Sequence, residues 1–156
     1  DSIPFRLACR VSPPATEADM NVLSGYSNVP PELRELWSIG AESWLFEDID
    51  YGQWGIHLLT PRSSLERTLV EIAERPGDFR AGDIVLGEFL GDSELLVFAP
   101  SESPERRWLV ALPLDGREDW YSIGHNLADV FEQLLNSDGD KYWERANPTG
   151  AGSVAE

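Results

Sequence analysis

Cysteine is nearly absent from this 156-residue chain, and Cys9 on its own cannot form an internal disulfide. A lone buried thiol is more often a small hydrophobe than a nucleophile. Histidine is almost as scarce. His57 and His125 lie far from Cys9 along the chain and supply no zinc-ligand set, and helix and strand patterning already accounts for both positions. Basic residues number 12 against 28 acidic ones, leaving a formal charge of −16. Such a surface repels phosphate backbones, which excludes nucleic acid and anionic membranes as general partners and favours a basic protein. There is neither a signal-peptide pattern nor an apolar run of the ~18 residues that a membrane-spanning helix needs, so a cytoplasmic location is expected. Eleven of the twelve basic residues are Arg, Lys141 being the exception, a bias that fits a GC-rich bacterial genome.

What is present suffices for a core without staples. A chain of this length hides roughly 70% of its extended surface, and six Trp, six Phe and four Tyr provide large apolar side chains. No internal repeat or low-complexity stretch divides residues 13–143. The expectation is one domain over 1–146, its core at about 15–136, followed by a small, polar, Gly-rich tail at 147–156 that is expected to be flexible.

Local signals give the elements. Thr16 and Asp19 form a capping-box-like pair. Pro31, in Pro30-Pro31-Glu32, fits a first helical turn, after which Leu33, Leu36 and Trp37 share one face until Gly40. Residues 43–59 read as two strands and a turn. Thr60-Pro61 opens a third helix, with Leu65, Leu69, Ile72 and Ala73 assigned inward and Arg62, Glu66, Arg67, Glu71 and Glu74 assigned to water. Ile84, Leu86 and Phe89, then Leu95, Val97 and Ala99, form a hairpin reversing at Gly91-Asp92-Ser93. Residues 107–112 give a further strand, with Trp108, Val110 and Leu112 on one face. A last helix has Asn126 as N-cap and an inward stripe of Leu127, Val130, Phe131, Leu134 and Leu135. The fold class is therefore α+β: one largely antiparallel sheet packed by about four helices.

Three segments carry a resemblance. Residues 29–36, Val-Pro-Pro-Glu-Leu-Arg-Glu-Leu, are similar to a Leu-Pro segment opening a second helix. Residues 84–98, including Gly87 and the Gly91-Asp92 reversal, look like a strand, Gly-Asp turn and strand. Residues 126–135 resemble a closing helix. In this order and spacing, over about residues 15–136, the chain resembles the SUKH (SMI1/KNR4) superfamily. The family's Asn-Gly near the end of the second helix is replaced by Ser38-Ile39-Gly40, and the segment before Pro13 has no counterpart. The resemblance implies a sheet with helices packed against it and a binding role rather than catalysis. Many bacterial members look like immunity proteins that neutralise protein toxins, and fungal members look like regulatory scaffolds.

The candidate partner-binding residues fall into two acidic groups. Glu42, Glu47, Asp48 and Asp50 stand beside Trp44, Tyr51 and Trp54, and Glu88, Asp92 and Glu94 surround the hairpin. Carboxylates ringing an aromatic anchor suit a basic protein surface, a nuclease toxin domain being one such surface. The plain alternative is a solvated face over core aromatics. Pro31, Trp37, Gly87, Gly91 and Phe131 are assigned structural roles. No catalytic residue, metal or cofactor is assigned. Asp138-Gly139-Asp140 lacks the spacing and the later Glu of a calcium loop. Two other functions stand beside the immunity reading: a scaffold without a toxin partner, and a small hydrolase, which requires two convergent carboxylates with one desolvated.

Overall fold

The computed structural model describes residues 7–26, 29–51 and 54–146. The expected tail at 147–156 and part of the turn after Tyr51 lie outside them. Among the described residues seven strands form a single antiparallel sheet in which every strand pairs with its neighbour in the chain. They are β1 (Leu7–Val11), β2 (Ser43–Asp48), β3 (Ile56–Leu58), β4 (Ile84–Phe89), β5 (Leu95–Phe98), β6 (Trp108–Ala111) and β7 (Tyr121–Gly124). The helices are α1 (Glu17–Met20), α2 (Pro31–Ile39), α3 (Pro61–Glu74), α4 (Leu127–Asn136) and α5 (Tyr142–Ala146). The expected α+β class is what the structure has.

The helix starts follow their signals. Thr16 and Asp19 form a complete capping box on α1, Thr60 Oγ1 accepts from the Ser63 amide, and Asn126 Oδ1 accepts from Asp129 at 2.8 Å. Pro31 occupies the first turn of α2, where its missing N–H leaves nothing unsatisfied. The reversal expected at Gly91 has φ +91°, in the left-handed region that a Cβ penalises. Gly87 serves close approach instead, since a Cβ there would stand 3.1 Å from the His57 carbonyl on β3.

Alternation divides the sheet residues between two faces. Ile56, Leu58, Ile84, Leu86, Leu96, Phe98, Trp108 and Val110 point into the larger core, with Leu33 and Trp37 of α2, Leu127, Val130 and Leu134 of α4, and Trp143 of α5. Trp37 is 1% exposed, and its indole N–H donates to the Leu59 carbonyl at 3.0 Å, tying α2 to the sheet. On the other face Val85, Leu95, Val97, Leu109 and Ala111 are buried with Phe79 and Trp120.

Helix α3 is rotated from its expected orientation. Its buried residues are Pro61, Ser64, Thr68 and Glu71, whereas Leu69 is exposed. The reason lies in the sheet: on β4, β3 pairs with residues 87–89, leaving the start of β4, which β5 flanks on its other edge, without a strand on its β3 side. Ser64 donates to the Val85 carbonyl at 2.6 Å, and Thr68 Oγ1 accepts from the Val85 amide at 2.8 Å. Two helix hydroxyls thus satisfy the backbone groups that a longer β3 would have paired. Helix α4 also departs from expectation, because Leu135 is exposed and Phe131 only half-buried.

Candidate functional site

The second face of the sheet changes character along one row. Strand register places Arg10, Trp44, His57, Glu88, Leu95 and Ala111 side by side across β1 to β6. Leu95 and Ala111 are buried, whereas Arg10 is exposed and Trp44, His57 and Glu88 are half-buried. One half of this face is therefore apolar core, and the other is a charged, aromatic surface open to solvent.

The open half is built by two irregularities. Register shifts between Ala8 and Arg10, and Phe46 opposite has φ +55°, a conformation unfavourable for a bulky side chain. The Phe46 amide donates to Cys9 Sγ at 3.4 Å. With that kink, Leu45 and Phe46 both pack against the larger core, and Glu47 returns to the open face. Cys9 is exposed at the bulge, not a buried hydrophobe as its scarcity suggested.

On this surface the rings form a stack. Trp44 and His57 lie nearly parallel, with centroids 4.6 Å apart, and the Arg10 guanidinium sits 4.3 Å from the Trp44 ring. Arg10 is forked onto Glu47 at 3.2 and 2.9 Å. His57 Nε2 lies 2.6 Å from Glu42, and Nδ1 lies 3.7 Å from Glu88. Glu88 accepts from Arg67 at 2.8 Å, and Arg67 also donates to the buried carboxylate of Glu71. Arg67 and Glu71 are thus not a simple solvated face. They join α3 to the row, which holds four carboxylates, two guanidiniums and one imidazole.

The arrangement seats the His57 ring between two carboxylates and can take a cationic side chain against Trp44 and Glu47, as Arg10 does within the chain. Among the described residues, neither a hydroxyl nor a thiol bonds to His57. Also among them, no group of three His, Cys, Asp or Glu side chains is arranged to hold a metal ion.

The other expected site residues divide. Tyr51 is 76% exposed at the tip following β2, and Asp50 and Ile49 are exposed beside it. Asp48 is 2% exposed and does not belong to a contact surface. Its Oδ1 accepts from the amides of Asp50 and Tyr51 at 3.0 and 3.2 Å, so it shapes the turn that presents them. Trp54 is half-buried with its indole N–H donating to the Gly139 carbonyl at 3.0 Å, which makes it a fastening for the turn after α4 rather than a free anchor. Asp92 and Glu94 both bind the Lys141 ammonium, Glu94 at 3.0 Å. Burial raises the Glu94 carboxyl above its usual range against the pull of Lys141. This hairpin pair holds the chain after α4 and is not a free acidic patch.

Sequence reasoning gathered Glu42, Glu47 and Glu88 but missed Arg10, His57, Arg67 and Glu71. Only the strand register could have joined them, and β1 has too little alternation to be found by pattern. The chain matches no family model, no curated protein and no solved structure at a level that marks relatedness.

Proposed function

We propose that this chain is a non-catalytic protein-binding domain of the SUKH type, acting in the cytoplasm as an immunity protein that masks a basic toxin domain. The observation that carries the reading is the uncovered half of the sheet face. There Trp44 and His57 stand among Glu42, Glu47 and Glu88, and the exposed Ile49 and Tyr51 extend from the same strand. Exposed aromatic and apolar side chains supply contact area, while surrounding carboxylates orient a cationic partner before contact. The net charge of −16 adds long-range attraction of the same sign.

A toxin acting on nucleic acid must carry a basic substrate groove, and an acidic sheet face is complementary to such a groove without performing chemistry. Masking requires contact alone.

The test is co-expression with the product of the adjacent gene. The reading expects a stable one-to-one complex and relief of any growth defect which that product causes alone. Tyr51→Ala and Glu88→Gln should weaken both while leaving the fold intact. Failure of the two proteins to associate at low ionic strength would remove that pairing.

A further inference from the structure

On the opposite side of the sheet from this surface, α2 and α4 leave an apolar groove of about 280 Å³. Its walls include Leu36 and Ile39 of α2 with Ala128 and Phe131 of α4. The inward stripes of both helices are already satisfied, by Leu33 and Trp37 on α2 and by Leu127, Val130 and Leu134 on α4. The groove is therefore a second apolar stripe on each helix, at spacings of three, beyond what the core consumes. Ile39, in the groove wall, is 67% exposed, and Leu135, four residues on from Phe131 along α4, is 65% exposed. Glu32 fixes the geometry: its Oε1 accepts from the Trp108 indole at 3.0 Å and from the Leu127 amide at 2.7 Å, linking the start of α2 to the start of α4.

The carboxylates of this groove are Glu32 and Glu35 from α2, the exposed Glu132 follows Phe131 on α4, and α4 carries no basic residue. The only cation of α2, Arg34, lines the depression on the other side of that helix with Glu17 and Met20. A second copy of this chain would bring a further charge of −16 against the carboxylate rim, and an anionic membrane is repelled for the same reason.

We propose that the α2–α4 groove is a second docking site, independent of the sheet face, and that its occupant is a cationic amphipathic helix of a partner protein. Two parallel stripes with apolar residues at helical spacing accept a third helix by ridge-into-groove packing, with anchors at i, i+3 or i+4, and i+7. Lys or Arg flanking those anchors would meet Glu35 and Glu132.

The experiment uses the whole chain, labelled with ¹⁵N, and two synthetic peptides of about four helical turns: one of Leu and Lys in amphipathic order, the other with Glu replacing every Lys. The Leu/Lys peptide should shift amides of α2 and α4 saturably, and the Leu/Glu peptide should not. The double variant Ile39→Ser with Leu135→Ser changes only exposed side chains, so its spectrum should otherwise be retained, and it should bind the Leu/Lys peptide at least about tenfold more weakly. Four results would overturn the proposal: no saturable shift, equal shifts from both peptides, shifts confined to the sheet face, or undiminished affinity in the double variant. Concentration-dependent shifts along the groove without peptide would also overturn it, by identifying a second copy as the occupant.

Discussion

Outside the apolar core, Arg117 is a buried cation with two carboxylate partners. Its side chain is 5% exposed, and it forks onto the fully buried Asp83 at 2.6 and 3.2 Å while donating to Glu102 at 2.7 Å and to the Asp78 carbonyl at 3.0 Å. Arg117→Met would strand Asp83 as an unpaired buried charge, at a cost of about 3–5 kcal/mol measurable by urea unfolding. The hydrogen bond from Arg117 holds the Glu102 carboxyl below its usual range against the opposing effect of desolvation, and the charges of Arg117, Arg106 and Arg80 add to the lowering. A carboxyl lowered on folding stabilises fully above its unfolded pKa and loses that contribution as pH falls through the folded value. Stability should therefore fall as pH drops below the ordinary carboxylate range, and Glu102→Gln should make that fall shallower in acid denaturation curves. Gly91→Ala should cost about 1–2 kcal/mol, because φ +91° places a Cβ against the following carbonyl.

At the scale of elements, packing sets the size of each effect. Phe131 is half-buried in a groove wall rather than enclosed, so Phe131→Ala should cost about 1–2 kcal/mol in chemical unfolding, well short of the loss at an enclosed Phe. Trp54→Ala should lower stability through loss of its fastening to Gly139 and leave partner binding unchanged, whereas Tyr51→Ala should do the reverse. The capped helices and the β4–β5 hairpin were legible in the sequence because caps, first-turn prolines and turn glycines act locally. Strands β1 and β7 were not, since half of each faces polar surroundings and hydrophobic alternation breaks down. The orientation of helix α3 is not legible in the sequence, because its inward residues, Ser64 and Thr68, serve backbone hydrogen bonding to β4, a long-range need that no helical periodicity reveals. The same limit governed the site. Glu42, Glu47 and Glu88 stand out as acids, but nothing local separates from them Asp48, whose carboxylate turns inward to hold the following amides.

For the whole molecule, one sheet separates two surfaces of different chemistry. The helical side offers an apolar groove with an acidic rim, and the open half of the other side offers stacked rings among carboxylates and guanidiniums. Among the described residues no helix is long and apolar enough to cross a membrane. If the open sheet face captures a basic protein partner, as proposed, its carboxylates set the rate of association with the adjacent gene's product. That rate should be measured for the native chain and for the triple variant Glu42→Gln, Glu47→Gln, Glu88→Gln at ionic strengths of about 0.01 and 0.15 M, between which the screening length shrinks from roughly 30 to 8 Å. Association of the native chain should slow steeply with salt, and the triple variant should associate about tenfold more slowly at the lower ionic strength, with a flatter salt dependence. Association of the triple variant at the native rate with the native salt dependence would contradict it.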